Sequence, residues 1–81
     1  MALYFFDVRD DDRLFPDDQG TRLAGGLNAA RTEAFAALTD YARELNPTSD
    51  RRRVAIEVRD ENSRRLLKAV LIIEVEVLTR P

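Results

Sequence analysis

One stretch of this chain carries helical spacing, and the sequence on both sides of it is patterned for strands. Ala30, Ala34, Leu38, Tyr41 and Leu45 follow Leu27 at intervals of three and four, with Phe35, Ala37 and Ala42 widening the stripe. The spacing predicts a helix of about eighteen residues, a rod of roughly 27 Å at ~1.5 Å rise per residue. Asn28, or else Gly26, is its expected N-cap, and Asn46-Pro47 ends it, because a residue before proline is pushed out of the helical region. A lone helix covers one face of a sheet and no more. The chain should therefore fold as a sheet with one covered face and one open face.

Before the helix, LYFFDVR alternates: Tyr4, Phe6 and Val8 point to the core, while Leu3, Phe5, Asp7 and Arg9 point to the open face. Asp10-Asp11-Asp12 suits a turn. A second strand from near Arg13 is interrupted at Pro16, which cannot donate to a ladder, so this strand belongs at an edge. Asp17 to Gly20 is a further turn, and Thr21 to Leu23 resumes the edge. After the helix, PTSDRRR reads as a polar connector and RVAIEVRD as the clearest strand. In it Val54, Ile56 and Val58 face the core; Ala55, Glu57 and Arg59 face outward. Asp60 to Ser63 turns the chain.

The last strand is expected to run roughly fourteen residues, beyond the usual length. Leu67, Ala69, Leu71, Ile73, Val75 and Val77 line its core face, with Leu66, Lys68, Val70, Ile72, Glu74 and Glu76 opposite. The expectation is a single α+β domain over residues 1–81, ββαββ, a four-stranded and mainly antiparallel sheet with one helix packed on one face. Phe6, Val58, Leu71 and Leu38 should be buried between the layers.

Val-Arg-Asp occurs twice, at Val8 to Asp10 and Val58 to Asp60. Each copy should end the first strand of a hairpin, with Val on the core, Arg outward and Asp entering the turn. Asp7 and Arg9 in one strand match Glu57 and Arg59 in the other, so neighbouring strands would let them pair.

A chain of 81 residues buries only about 60% of its unfolded surface, so its core is thin. With no Cys and no His, it forms no disulfide and lacks the commonest zinc, iron and copper ligands. No His activates Ser49 or Ser63, and Gly20, Gly25 and Gly26 form no phosphate loop. The acids sit in expected turns and not in an apolar pocket. A non-enzymatic domain without a cofactor is the expectation. Asp10, Asp11 and Asp12, with Asp17 and Asp18, offer oxygens for a weak divalent-cation-binding hairpin. The spacing of a tight calcium loop is missing, a solvated turn is the simpler reading, and no metal site is assigned.

Thirteen basic and fifteen acidic side chains leave a net charge of −2, which gives no global attraction to nucleic acid. Arg51, Arg52 and Arg53 form the one basic cluster, an alternative phosphate or nucleic-acid site. Sheet-based RNA readers need several aromatics on the open face, however, and here only Phe5 points that way. Leu3, Phe5, Val70 and Ile72 are apolar residues on the face the helix leaves bare, and a contiguous patch of that kind marks an interaction surface. The last strand also outruns its hairpin partner, so Val70 to Leu78 must bond to the first strand, to another chain or to nothing. A homodimer through these residues is the economical answer, with a further protein partner as an open role. No segment reads as a membrane span or signal peptide, the apolar run LLKAVLII being too short. A cysteine-free acidic chain of this kind is expected in the cytoplasm.

YFFDVRDDDRL at the start, D-x-x-G at Asp17 to Gly20, L-x-A-A-R-x-E-A at Leu27 to Ala34 and IEVRDE at Ile56 to Glu61 together resemble one family. It is a family of short alphaproteobacterial proteins known only as a domain of unknown function. Its members usually carry a Gly inside the first turn, where this chain has Asp11-Asp12, and an acid before the helix, where it has Gly25-Gly26. The resemblance implies no activity and assigns no role to any residue. More distantly, strand pairs under one helix are similar in architecture to small antitoxin domains, which would fit the Arg51 to Arg53 alternative.

Overall fold

The computed structural model describes residues 1–46 and 49–79. Its elements are β1 (Ala2–Asp10), β2 (Arg13–Phe15), β3 (Thr21–Leu23), α1 (Gly26–Arg43), β4 (Arg51–Arg59) and β5 (Arg65–Glu74). Every pairing is antiparallel, and the strands lie in the order β2-β1-β4-β5, with β3 also paired to β1. This is the expected α+β sheet with a helix on one face. It has five strands where four were expected, because the interrupted edge strand separates into β2 and β3.

The core follows the alternation of β4. Val54, Ile56 and Val58 are at most 1% exposed and pack with Tyr4, Ala30, Ala34 and Leu38. Alanines at two successive turns let α1 approach the sheet closely. Val58 and Leu38 are buried as expected, whereas Phe6 and Leu71 are only half-buried, because one helix is narrower than the sheet. The helix begins differently from expectation. Gly25, at φ 104°, is the N-cap and caps with no side chain, and Gly26 follows at φ 68°. Both angles lie in the left-handed region that glycine tolerates, which displaces Asn28 from the capping role. Pro47 of the expected helix stop lies outside the described residues.

Two expectations about the second hairpin fail. Arg51 and Arg52 are not connector but, ahead of Arg53, the first residues of β4. β5 is ten residues long and matches β4 from Arg51↔Glu74 to Arg59↔Arg65, so no unmatched half exists within it. Just past its end, the Val75 N–H still donates to the Asp50 carbonyl at 2.7 Å. A register shift between Val58 and Arg59 then inserts one extra residue on β5. Leu66 occupies that bulge and packs against the core, not on the open face.

The outer edge of β1 is closed piecewise. β3 covers Ala2 to Tyr4 and β2 covers Val8 to Asp10, which leaves the Phe6 N–H between them. Asp17, just after Pro16, fills this gap: its carboxylate accepts from Phe6 N–H at 3.1 Å and from the N–H groups of Gln19 and Gly20 at 3.1 and 3.0 Å. Burial pushes the Asp17 carboxyl up, but the Gly20, Phe6 and Gln19 donors hold it below its ordinary value. The Asp17 N–H in turn donates to Asp7 at 2.8 Å.

Candidate functional site

The open face carries a reciprocal ion-pair lattice. Asp7-Val8-Arg9 on β1 runs against Glu57-Val58-Arg59 on β4, with Asp7 directly opposite Glu57. The Arg9 Nε donates to Glu57 at 2.8 Å, and the Arg59 Nε donates to Asp7 at 2.9 Å. Both Val residues turn to the core and both Arg residues outward, as the repeated Val-Arg-Asp predicts. The hydrogen bond from Arg9 holds the Glu57 carboxyl below its ordinary value. Arg59 also donates to the Asp17 carbonyl at 2.8 Å and lies 4.4 Å above the Phe5 ring centroid.

The two Asp residues of the repeat diverge. Asp60 enters its turn and accepts from the Asn62 and Arg64 N–H groups, both at 2.9 Å. Asp10 was expected to do the same. It is instead the last residue of β1 and is buried beneath α1. The Tyr41 hydroxyl donates to it at 2.6 Å, and Arg52 donates two bonds to it at 2.8 and 2.7 Å. The Arg52 bonds, reinforced by Tyr41, hold the Asp10 carboxyl below its ordinary value.

These commitments redraw the residues singled out from the sequence. The arginine cluster does not converge: Arg52 points under the helix to Asp10, while Arg51 points to the open face and pairs with Glu74 at 3.1 Å. The Arg53 backbone N–H donates to Asp11 at 3.0 Å. The acidic turn is equally divided, since Asp10 faces the core, Asp11 caps Arg53 and Asp17 fills the β1 edge. Among the described residues no three acidic side chains come together as metal ligands do.

Leu3, Phe5, Val70 and Ile72 share the open face, but they do not make one patch. Phe5 aligns with Arg59 and Arg65 across the sheet, whereas Val70 aligns with Ala55 and Arg9. The charged row Asp7, Glu57 and Lys68 lies between the two rows. Leu3 and Phe5 are half-buried against Gly20 and Arg59, while Val70 and Ile72 are 41% and 47% exposed at the far edge.

That edge is β5, which among the described residues pairs with β4 on one side only. Because Val75 N–H points to β4, alternation turns the backbone groups of Lys68, Val70, Ile72 and Glu74 away from the sheet. Along the same strand, an apolar groove of about 570 Å³ separates β5 from α1, with Leu38, Ala42, Ala69 and Leu71 among its walls. Phe35 stands at its rim, 70% exposed. By its spacing Phe35 widens the apolar stripe of the helix. Its position, one residue past Ala34 and so on the shoulder of the stripe, was the signal that it could lie outside.

The family model described as Domain of unknown function (DUF6894) matches residues 3–72 of the chain. No curated protein and no solved structure matches it. Among the described residues no helix is long and apolar enough to cross a membrane.

Proposed function

The chain belongs to the DUF6894 family, and we propose that it is a non-enzymatic cytoplasmic domain that acts through protein contacts, self-associating along β5. One observation carries this reading: a ten-residue strand with an open edge. Long open edges are templates for another strand and are normally short, charged or covered. Here the edge is flanked on the open face by Val70 and Ile72 and on the helix face by the groove under Phe35. Because β4 matches β5 along its whole length, association rests on the open edge and not on an unmatched half of the strand. Support for the non-enzymatic part is chemical: Asp7, Asp10, Asp17 and Glu57 are held by arginines or backbone donors, and no His is present to activate a hydroxyl.

Light scattering at two widely separated concentrations tests the proposal. The mass should approach twice 9.3 kDa at the higher one. Ile72→Asp, which sets two like charges in one dry contact, should return it to the monomer value. A wild type at 9.3 kDa under both conditions overturns self-association.

A further inference from the structure

We infer that two copies join β5 to β5 in one particular register, with Leu71 of each chain on the two-fold axis and Lys68 of one opposite Glu74 of the other. The inference rests on the self-association proposed above and specifies its geometry.

A two-fold axis that extends a sheet through antiparallel edges stands perpendicular to it. Residues directly opposite each other then share a face. The groups available for bonding are those of Lys68, Val70, Ile72 and Glu74, which point away from β4. Centring on Leu71 sets Lys68 against Glu74 and Val70 against Ile72, twice each, and uses all four residues in about eight backbone hydrogen bonds. Centring on Val70 sets Lys68 against Ile72 and Glu74 against the bulged Leu66. Centring on Ile72 sets Val70 against Glu74 and sends Lys68 beyond the strand end. Only the Leu71 register matches charge with opposite charge and apolar with apolar.

The rest of the surface agrees with that register. On the open face the sheet already reads Asp7, Glu57, Lys68 across one row and Arg51 beside Glu74 in another. The joined rows place each Glu74 between its own Arg51 and the Lys68 of the second copy. On the helix face Val75, which is 51% exposed, comes opposite the half-buried Leu67. α1 lies mainly over β4 and β5. With strands ~4.8 Å apart, the two helices then run antiparallel about 10 Å from each other, an ordinary helix-packing distance. Each groove opens toward the other, and the exposed Phe35 residues lie at the contact.

Charge exchange decides it. Lys68→Glu puts two acids opposite Glu74, and Glu74→Lys puts two lysines opposite Lys68, so each variant alone should dimerise roughly tenfold or more weakly than wild type. Mixed in equal amounts they should form a heterodimer, seen by native mass spectrometry, with wild-type affinity, because both contacts then become attractive. Both residues are exposed, and unchanged circular dichroism checks that the variants are folded. Variants that dimerise as tightly as wild type, with no preference for the mixed pair, overturn the register while leaving self-association intact. A wild type that stays at 9.3 kDa overturns both and leaves the edge to a strand of a different protein.

Discussion

Asp7 and Glu57 face each other across β1 and β4, two carboxylates in directly opposed positions, and each is held by the arginine two residues further along the other strand. Like charges placed opposite each other in a sheet are ordinarily destabilising. Here each acid has its own cation on the diagonal. The arrangement is symmetric in residue type, Asp-Val-Arg against Glu-Val-Arg, so the two halves of the sheet lock by exchanging equivalent contacts.

Arg59 does the larger share of that locking. It grips Asp7, reaches the Asp17 carbonyl and lies over Phe5. A lysine supplies one point charge and no planar fork. Arg59→Lys should lower stability by about 1–2 kcal/mol in urea unfolding, whereas Arg65→Lys, on an exposed residue, should change it little. Equal effects would mean that the Arg59 contacts contribute nothing.

Ile56 lies at the centre of the core, 1% exposed. Ile56→Ala should cost about 2–5 kcal/mol, a large share of what a domain this small possesses. Circular dichroism with temperature would register the loss as a sharply lowered midpoint. A shift of only a degree or two would place the core elsewhere.

Gly20 and Gly26 separate two causes of strain. A Cβ on Gly20 would meet Leu3 Cδ1 at 2.9 Å and the Tyr4 carbonyl at 3.1 Å, with φ at +75°. Gly26 has φ +68° and open space around it. Gly26→Ala should cost about 1–2 kcal/mol from backbone conformation alone, and Gly20→Ala should cost more. The reverse order in thermal unfolding would show that the β1 edge is looser than its contacts imply.

The acid limb of stability should be steep. The carboxyls of Asp10, Asp17 and Glu57 sit below ordinary values of 3.8, 3.8 and 4.5. The native chain therefore binds fewer protons than the unfolded one as acid is added. Their contribution is present above about pH 4.5 and is lost as pH falls through the folded values. Tyr41 is the alkaline counterpart. Its bond to Asp10 raises it above 10.0, so its contribution is full below that pH and lost as pH rises through the folded value. Urea midpoints measured from pH 7 to pH 2.5 should fall in the acid range and fall less in Tyr41→Phe. A flat profile would contradict the assigned pairs.

The sequence made the covered face legible because Val54, Ile56 and Val58 repeat with the period of a strand and no charged residue shares their face in that span. Pro16 likewise betrayed the edge, since a missing N–H is a local fact. Other features depended on distant partners. Asp10 looked like a turn residue because its neighbours are acids, and its partners Tyr41 and Arg52 lie 31 and 42 residues away. Arg51 and Arg52 looked like a linker, although successive arginines suit a strand whose two faces offer Asp10 on one side and Glu74 on the other. Leu3 and Phe5 seemed joined to Val70 and Ile72 because face is readable from parity alone. Position along the face needs the register of two ladders, and those ladders put a charged row between them.

The broken outer edge of β1 limits how many chains a growing sheet can hold. β2 and β3 are three residues each, separated by Pro16 and a turn, and fragments of that length cannot template a long ladder. Strand addition thus has one usable end, and its valence is one. A building block with two such ends polymerises into a fibre, whereas one with a single end terminates as soon as it finds a mate. In the dimer proposed above, finite stoichiometry is then imposed from the opposite side of the molecule, by Pro16 and Asp17, residues that need touch no second chain at all.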